Sequence, residues 1–265
     1  MNDNYRINCS FDCLSSINII DQKSDICLNN KKYNISTDSR CVQKNDIFIA
    51  LKGRYSDGHN FLSQAFYNGA SAAIISEKKI FEESNFPLIL VQDTYIALSK
   101  IGEYNFKGIK SLKIAITGSV GKTTTKDYLK NVLSYYEPTF AAPESFNNEL
   151  GIALSKAQIS KMDKYAIFEI GMNMKNEISN LSKLINPDIA IITNIGEAHI
   201  GNLGSKKNIA YEKSSIIDGM SNNGIVLLPR DSDYFELLQK NAMAKNLRSI
   251  TFGYSNKSDI QISKI

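Results

Sequence analysis

Short runs of apolar, largely β-branched residues recur along the chain, and stretches with helical spacing separate them. At 113–117 (KIAIT), 165–170 (YAIFEI), 189–193 (IAIIT) and 225–228 (IVLL) the apolar positions are nearly continuous rather than alternating. Such runs are too short for helices, and their continuity implies burial on both faces. Residues 122–134, 177–185 and 206–220 carry helical spacing instead, and helices are predicted there. Strands alternating with helices predict an α/β fold whose parallel sheet is covered on both sides.

A smaller α/β unit is predicted upstream, over residues 32–110. Strands are expected at 46–51 (DIFIAL), 72–76 and 88–91, and helices at 61–68 and 94–104. Gly69 sits where the first of these helices must stop. The Lys107-Gly108-Ile109-Lys110 stretch reads as a hinge, dividing the chain into residues 1–110 and 111–265. No internal repeat is evident.

Length and composition fit that division. The 265 residues, 43% of them hydrophobic, suffice for two ordinary domains with real cores. The net charge of +4, from 31 basic and 27 acidic residues, is too small and too dispersed to argue for nucleic acid. It suits a phosphate-bearing small substrate and an ordinary solvated surface equally well. Cys9, Cys13, Cys27 and Cys41 match no paired zinc-knuckle spacing, and neither histidine lies among them. No apolar stretch approaches the roughly 20 residues that cross a bilayer. No basic start followed by a long apolar run marks a signal peptide. Reduced thiols in a cytoplasmic protein are therefore expected.

The strand at 113–117 runs into Thr117-Gly118-Ser119-Val120-Gly121-Lys122-Thr123-Thr124, which opens a predicted helix. A phosphate loop requires this context. Glycines let backbone N–H groups curl toward phosphate oxygens, and the helix amino terminus adds positive potential. Lys122 would reach the β- and γ-phosphates of ATP, and the Thr123 hydroxyl would bind Mg²⁺. Ile116 stands where the longer phosphate-loop pattern has glycine, so the match is to a shorter G-x-x-G-K-T-T form.

Ligands of open α/β sheets sit beyond the carboxyl ends of the strands. Glu169 falls at the end of YAIFEI, where an acid binds Mg²⁺ directly or through water, or is simply an exposed strand-end glutamate. His199 follows IAIIT in NIGEAH, and proximity to the phosphate loop makes it a candidate metal ligand as well as a structural histidine. His59, in Asp57-Gly58-His59, has turn formation as its explanation. Lys213 is one lysine among many on a predicted helix, and Asn147-Asn148 reads as a polar loop or helix cap.

Taken in order, the motifs resemble those of the Mur ligases, the ATP-dependent enzymes that build the peptidoglycan peptide. TDSR at 37–40, DIFIALKG, DGHNF and Gly69-Ala70 resemble the family's UDP-binding domain. GSVGKTTTK, SFNNELG, FEIGMN, ITNIGEAHIGNLGS and YEKS discriminate further, toward the branch joining D-alanyl-D-alanine to UDP-N-acetylmuramoyl-tripeptide through an acyl phosphate. The resemblance implies that Gly118, Ser119, Val120, Gly121, Lys122, Thr123 and Thr124 hold ATP, with Asn147 and Asn148 lining the same site. It implies that Thr123 and Glu169 bind one Mg²⁺ and that His199 binds a second. Lys213 matches a lysine that family members carbamylate into a metal ligand, and Ser39 with Arg40 would contact the UDP moiety. Lys122, Lys213 and His199 are thus the expected catalytic residues of a monomeric enzyme.

The family's third, Rossmann-like domain has no counterpart after residue 265, so a fragment is expected, with strands at 249–254 and 259–262 left without partners. A binding module for UDP-substrate and nucleotide that does not turn over, and a family member using another amino acid, are the alternatives.

Overall fold

A computed structural model describes residues 6–23, 33–53, 56–143 and 146–263. Cys27 and Ser145 of SFNNELG lie outside the described residues. The chain divides into two compact units, the first comprising residues 1–109 with 153–159 and the second 110–152 with 160–265.

In the first unit the elements are β1 (Arg6–Cys9), α1 (Phe11–Ser15), β2 (Ile19–Gln22), β3 (Tyr33–Ser36), β4 (Ile47–Ile49), α2 (Leu62–Tyr67), β5 (Ala72–Ile75), α3 (Lys78–Glu83), β6 (Leu88–Val91) and α4 (Thr94–Phe106). Among the described residues the sheet runs β1-β3-β4-β5-β6-β2. Its four inner strands are parallel, while β1 and β2 close the two edges antiparallel. Every residue of β4, β5 and β6 is buried, as their continuous apolar runs require. The predicted elements recur within a residue or two. The unit begins earlier than residue 32, because β1, α1 and β2 belong to it.

Local chemistry fixes the turns. Asp93 caps α4 by accepting from the N–H groups of Tyr95 and Ile96 at 2.7 and 3.0 Å. Gly69, at φ 107° after α2, takes a conformation that a side chain would strain, and a Cβ there would press on the Lys44 backbone. Residues 153–159 group with this unit because Gly102 of α4 lets the Ala153 carbonyl approach closely, and Asn105 Nδ2 donates to Ala157 O at 3.0 Å.

His59 is structural. It is buried, Nε2 accepts from the Ser76 N–H at 3.0 Å, and Nδ1 therefore carries the proton donated to Asp57 Oδ1 at 2.6 Å. The Asp57-His59-Ser76 series has the composition of a catalytic triad. The imidazole lone pair is already engaged by the backbone, however, so it joins the turn to the end of β5 instead.

The second unit holds β7 (Leu112–Thr117), α5 (Lys122–Ser134), β8 (Thr139–Ala141), the first residues of α6 (Glu149–Gln158), β9 (Tyr165–Glu169), α7 (Glu177–Ile185), β10 (Ile189–Ile192), α8 (Ile200–Leu203), α9 (Lys206–Ser214), β11 (Ile225–Pro229), α10 (Phe235–Ala244), β12 (Arg248–Gly253) and β13 (Ile260–Gln261). Its sheet is parallel throughout, in the order β13-β12-β11-β10-β7-β9-β8. Strands are added on one side of β7 through β9 and on the other from β10 onward. The crevice that such a reversal opens lies beyond the carboxyl ends of β7, β9 and β10.

Two expectations need correction. The strands near residues 249–254 and 259–262 are not left unpaired: β12 pairs with β11 over five residues and with β13 on its other side. Asp259 also ties down this corner by accepting from both the N–H and the hydroxyl of Thr251. The helix expected over 206–220 ends at Ser214 and continues as a 3₁₀ turn over Ser215–Gly219. There a Cβ on Gly219 would collide with the backbone of Ser182 on α7. Among the described residues, no helix is long and apolar enough to cross a membrane.

The imidazole at position 59 is the hydrogen-bond partner of the Ser76 N–H, whereas Asp57 keeps the His59 backbone N–H and Lys52 as partners without it. His59→Ala should cost about 1–3 kcal/mol, the cost of leaving one buried polar group stranded. A lower urea midpoint at unchanged slope is the expected reading, and an unchanged midpoint would contradict the structural role.

Candidate nucleotide and metal site

The loop after β7 is shaped by glycine. Gly121 takes φ 80° immediately before α5, a left-handed turn that aims the helix amino terminus back over the loop. Gly118 lies against Thr193, leaving no room for a Cβ. Asn194, just beyond β10, fastens the loop: its Oδ1 accepts from the N–H groups of Ser119 and Val120, each at 3.0 Å. Thr193 Oγ1 donates to Val120 O at 2.6 Å, and Ser119 Oγ accepts from Gly196 N at 2.8 Å. Neither Thr193 nor Asn194 belongs to the phosphate-loop motif itself. Their position directly after a buried strand, opposite a glycine loop, was the available signal.

Parallel pairing of β7 with β9 sets Ile116 opposite Glu169. This delivers the carboxylate to the foot of the loop, where Thr123 Oγ1 donates to Glu169 Oε2 at 2.8 Å. Glu169 is buried, and Lys122 Nζ donates to Gly118 O at 3.1 Å. A cavity of about 400 Å³ opens beside this pair, lined among others by Lys122, Asn147, Asn148, Glu149, Glu169 and His199. His199 sits at φ 67° at the start of α8, a left-handed position that turns the chain at the cavity rim. Asn148 also caps α6, its Oδ1 accepting from Gly151 N at 2.9 Å.

Lys213 is 2% exposed although it carries an amine. Burial pushes its pKa down to about 8, and the positive charge of Lys122 adds to the effect, while neighbouring Glu212 opposes it. Glu212 is itself buried and accepts from the N–H groups of Asn176 and Ile178 at 2.8 and 3.1 Å. The carboxylate thereby anchors α9 to the start of α7 and fixes where Lys213 stands.

The donor set fits Mg²⁺ better than a metal wanting a preformed cage. Among the described residues, no group of three or more His, Cys, Asp or Glu side chains is arranged to hold a metal. Thr123, Glu169 and His199 offer a hydroxyl, a carboxylate and an imidazole, and Mg²⁺ completes such a set with waters and phosphate oxygens. The repulsion of Lys213 by Lys122 favours an anion beside them, a phosphate or a carbamate. A second cavity, of about 270 Å³, lies at the same sheet edge and is lined by Asn194, Ile195, Pro229, Asp231, Ser232 and Asp233.

Of the residues singled out in sequence, Lys122, Asn147, Asn148, Glu169 and His199 share the main cavity, and Gly118 to Thr124 form the loop and helix start beside it. Lys213 lies behind, within electrostatic reach of Lys122. Ser39 and Arg40 belong to the first unit. There Ser39 Oγ donates to Gln64 Oε1 at 2.7 Å, and the exposed Arg40 pairs with Asp38 at 2.6 Å.

A glycine loop between a parallel strand and a helix, with an acid at the neighbouring strand end, defines a phosphate-loop nucleotide-binding domain. Comparison with known proteins makes this specific. Residues 116–265 match the Mur ligase middle domain, and residues 31–104 match the Mur ligase family catalytic domain. The chain belongs to the Mur ligase family. It is 36% identical over 233 residues to the UDP-N-acetylmuramoyl-tripeptide–D-alanyl-D-alanine ligase of Bacillus subtilis, covering 88% of this chain and 50% of that protein. A crystal structure of MurF from Acinetobacter baumannii superposes with a TM-score of 0.83 at 30% identity, covering 97% of this chain and 55% of that one. MurF from Thermotoga maritima in complex with ADP gives a TM-score of 0.70 at 28% identity, with coverages of 84% and 50%. The chain spans about half the length of the curated relatives it matches.

The buried amine makes a prediction about stability. The folded pKa of Lys213 is below the ordinary 10.5, so between about pH 8 and 10.5 the unfolded chain binds more protons and stability rises with pH. Below that window the charged amine costs on the order of 3 kcal/mol. In bicarbonate-free buffer without nucleotide or metal, Lys213→Met should raise the melting temperature at pH 7, and the gain should vanish by about pH 10.5. A lower melting temperature at pH 7 would show that the amine is stabilised where it lies.

Proposed function

We propose that this chain carries the substrate and ATP sites of an amide ligase that joins D-alanyl-D-alanine to UDP-N-acetylmuramoyl-tripeptide in the cytoplasm. The observation that carries the reading is the meeting of Lys122, Glu169 and His199 around one cavity at the carboxyl ends of a parallel sheet, with Thr123 bonded to Glu169. The names of the relatives and the ADP bound to the Thermotoga protein support the choice of ligands. Residues 1–110 form the UDP-substrate domain, with Ser39 and Arg40 at its site, and residues 111–265 the ATP-binding domain.

In this reading Lys122 binds the β- and γ-phosphates, and the N–H groups at the start of α5 complete the cradle. Thr123 and Glu169 hold one Mg²⁺; His199 and a carbamylated Lys213 hold another. When bound, the ions neutralise charge on the transferring phosphoryl group. The lowered pKa of Lys213 leaves its amine neutral more often, and the neutral amine is the form that reacts with carbon dioxide. The substrate's terminal carboxylate attacks the γ-phosphate to give an acyl phosphate and ADP. The amine of D-alanyl-D-alanine then attacks the acyl carbon and phosphate departs. The second cavity suits the nucleoside, since it flanks Asn194 at the edge of the loop.

Titration with UDP-N-acetylmuramoyl-tripeptide and with Mg-ATP tests the reading. Both should bind, and a folded chain that binds neither refutes it. Lys122→Ala should weaken ATP by roughly 10–100-fold, the worth of a charged hydrogen bond, and leave the UDP compound unaffected. Equal loss of both would contradict separate sites. Lys213→Ala should lose ligation and regain part of it with added short carboxylic acids, whereas an Ala variant as active as the parent would refute the carbamate.

A further inference from the structure

The ligation reading leaves one chemical task without a residue. An α-amine has a pKa of about 7.7–8.0 and arrives largely as the ammonium, which has no lone pair for attack. A carboxylate in the cavity would hold that cation and take its proton. Three glutamates line the wall: Glu149, Glu169 and Glu177. Glu169 accepts the Thr123 hydroxyl at the foot of the phosphate loop. Glu177 accepts from the N–H groups of Asn173 and Met174, which fold the turn before α7. His199 is a proposed metal ligand, and its lone pair is then unavailable.

Glu149 is different. It stands in the first turn of α6 on the cavity wall, and no hydrogen bond or ion pair joins it to another described residue. Capping does not explain it either, because Asn148 already caps that helix with its own side chain. Glu149 is exposed on the wall it shares with Lys122, whose proposed partner is the phosphoryl group, so its carboxylate is free to meet a substrate bound in that cavity.

We propose that Glu149 holds the ammonium of the incoming amine substrate and acts as its general base. This rests on the ligase reading above. The ammonium transfers one proton to the Glu149 carboxylate. The freed lone pair forms the C–N bond at the acyl carbon, the C–O bond to phosphate breaks, and the departing phosphate takes the second nitrogen proton. Glu149 returns its proton to solvent. The acid at position 149 then also sets acceptor class, favouring a cationic amine over a neutral or anionic one.

Glu149→Gln separates the two half-reactions. Trapping of the acyl phosphate by hydroxylamine should persist, while ligation of D-alanyl-D-alanine at pH 7 falls by roughly 100-fold or more, the usual worth of a general base. The deficit should shrink at pH 9.5, where the amine is already neutral. Equal loss of trapping and ligation, or ligation at the parent rate, overturns the proposal. A parent chain that neither traps nor ligates counts against the ligase reading, and Glu149 is then judged by binding. With Mg²⁺ and a non-hydrolysable ATP analogue, the parent should bind D-alanyl-D-alanine at least about tenfold more tightly than Glu149→Gln, with Glu149→Asp between them. Equal affinity, or no binding by the parent, overturns it.

Discussion

The register of β7 against β9 is the constraint on which the candidate site depends. Ile116 pairs with Glu169, and the strand that leads into the phosphate loop is therefore set beside the strand that ends in the acid. A slip by one residue would turn the Glu169 side chain to the other face of the sheet. It would break the bond from Thr123 and set the carboxylate among the apolar residues of the other buried face. Ile114, Ile116 and Ile167 pack together beneath the loop, so the hydrophobic core itself opposes that slip. Burial energy spread over the sheet thus maintains a geometry needed at one end of it.

Charge is balanced around this geometry rather than within it. Burial first, and then repulsion by Lys122, push the pKa of the Lys213 amine down. Glu212 lies next to Lys213 but spends both oxygens on backbone N–H groups at α7. An anion arriving between the lysines would relieve the repulsion, whether it came as a phosphate or as a carbamate formed on the amine. A site of this kind is costly when empty and favourable when filled, which is the electrostatic profile expected of a binding centre.

Much of this was readable in the sequence because the buried parallel strands write their burial as uninterrupted apolar runs. The span 189–193 needs no partner to be recognised, and the glycine loop after 113–117 carries its own geometry. The edges were not readable. β1 (RINC) alternates polar and apolar residues over four positions, and β2 (IIDQ) is exposed throughout. Both are strands only because a buried neighbour supplies hydrogen-bond partners. The same holds for β13, whose two exposed residues are paired to β12. Within the site, Lys122 and Thr123 announce themselves through local pattern. Lys213 does not, since the elements packed on α9 include α7 and α10, which are remote from it in sequence. Its role came from the family resemblance, and the structure adds a physical reason for its chemistry.

Asn194 shows why the loop's motif alone understates the site. A glycine turn free to curl has many conformations, and selecting one at the moment of binding would cost entropy. The Asn194 amide oxygen takes the N–H groups of Ser119 and Val120, and Thr193 takes the Val120 carbonyl. These bonds come from the end of β10, which is held against β7 in register from Ile189 to Ile192. The loop is therefore braced by the sheet on which it sits. In the proposed reading, phosphate recognition is left to the Gly121 turn, the first N–H groups of α5 and Lys122. Preorganisation of this kind makes the donors available without reorganisation when charge develops on the transferring group.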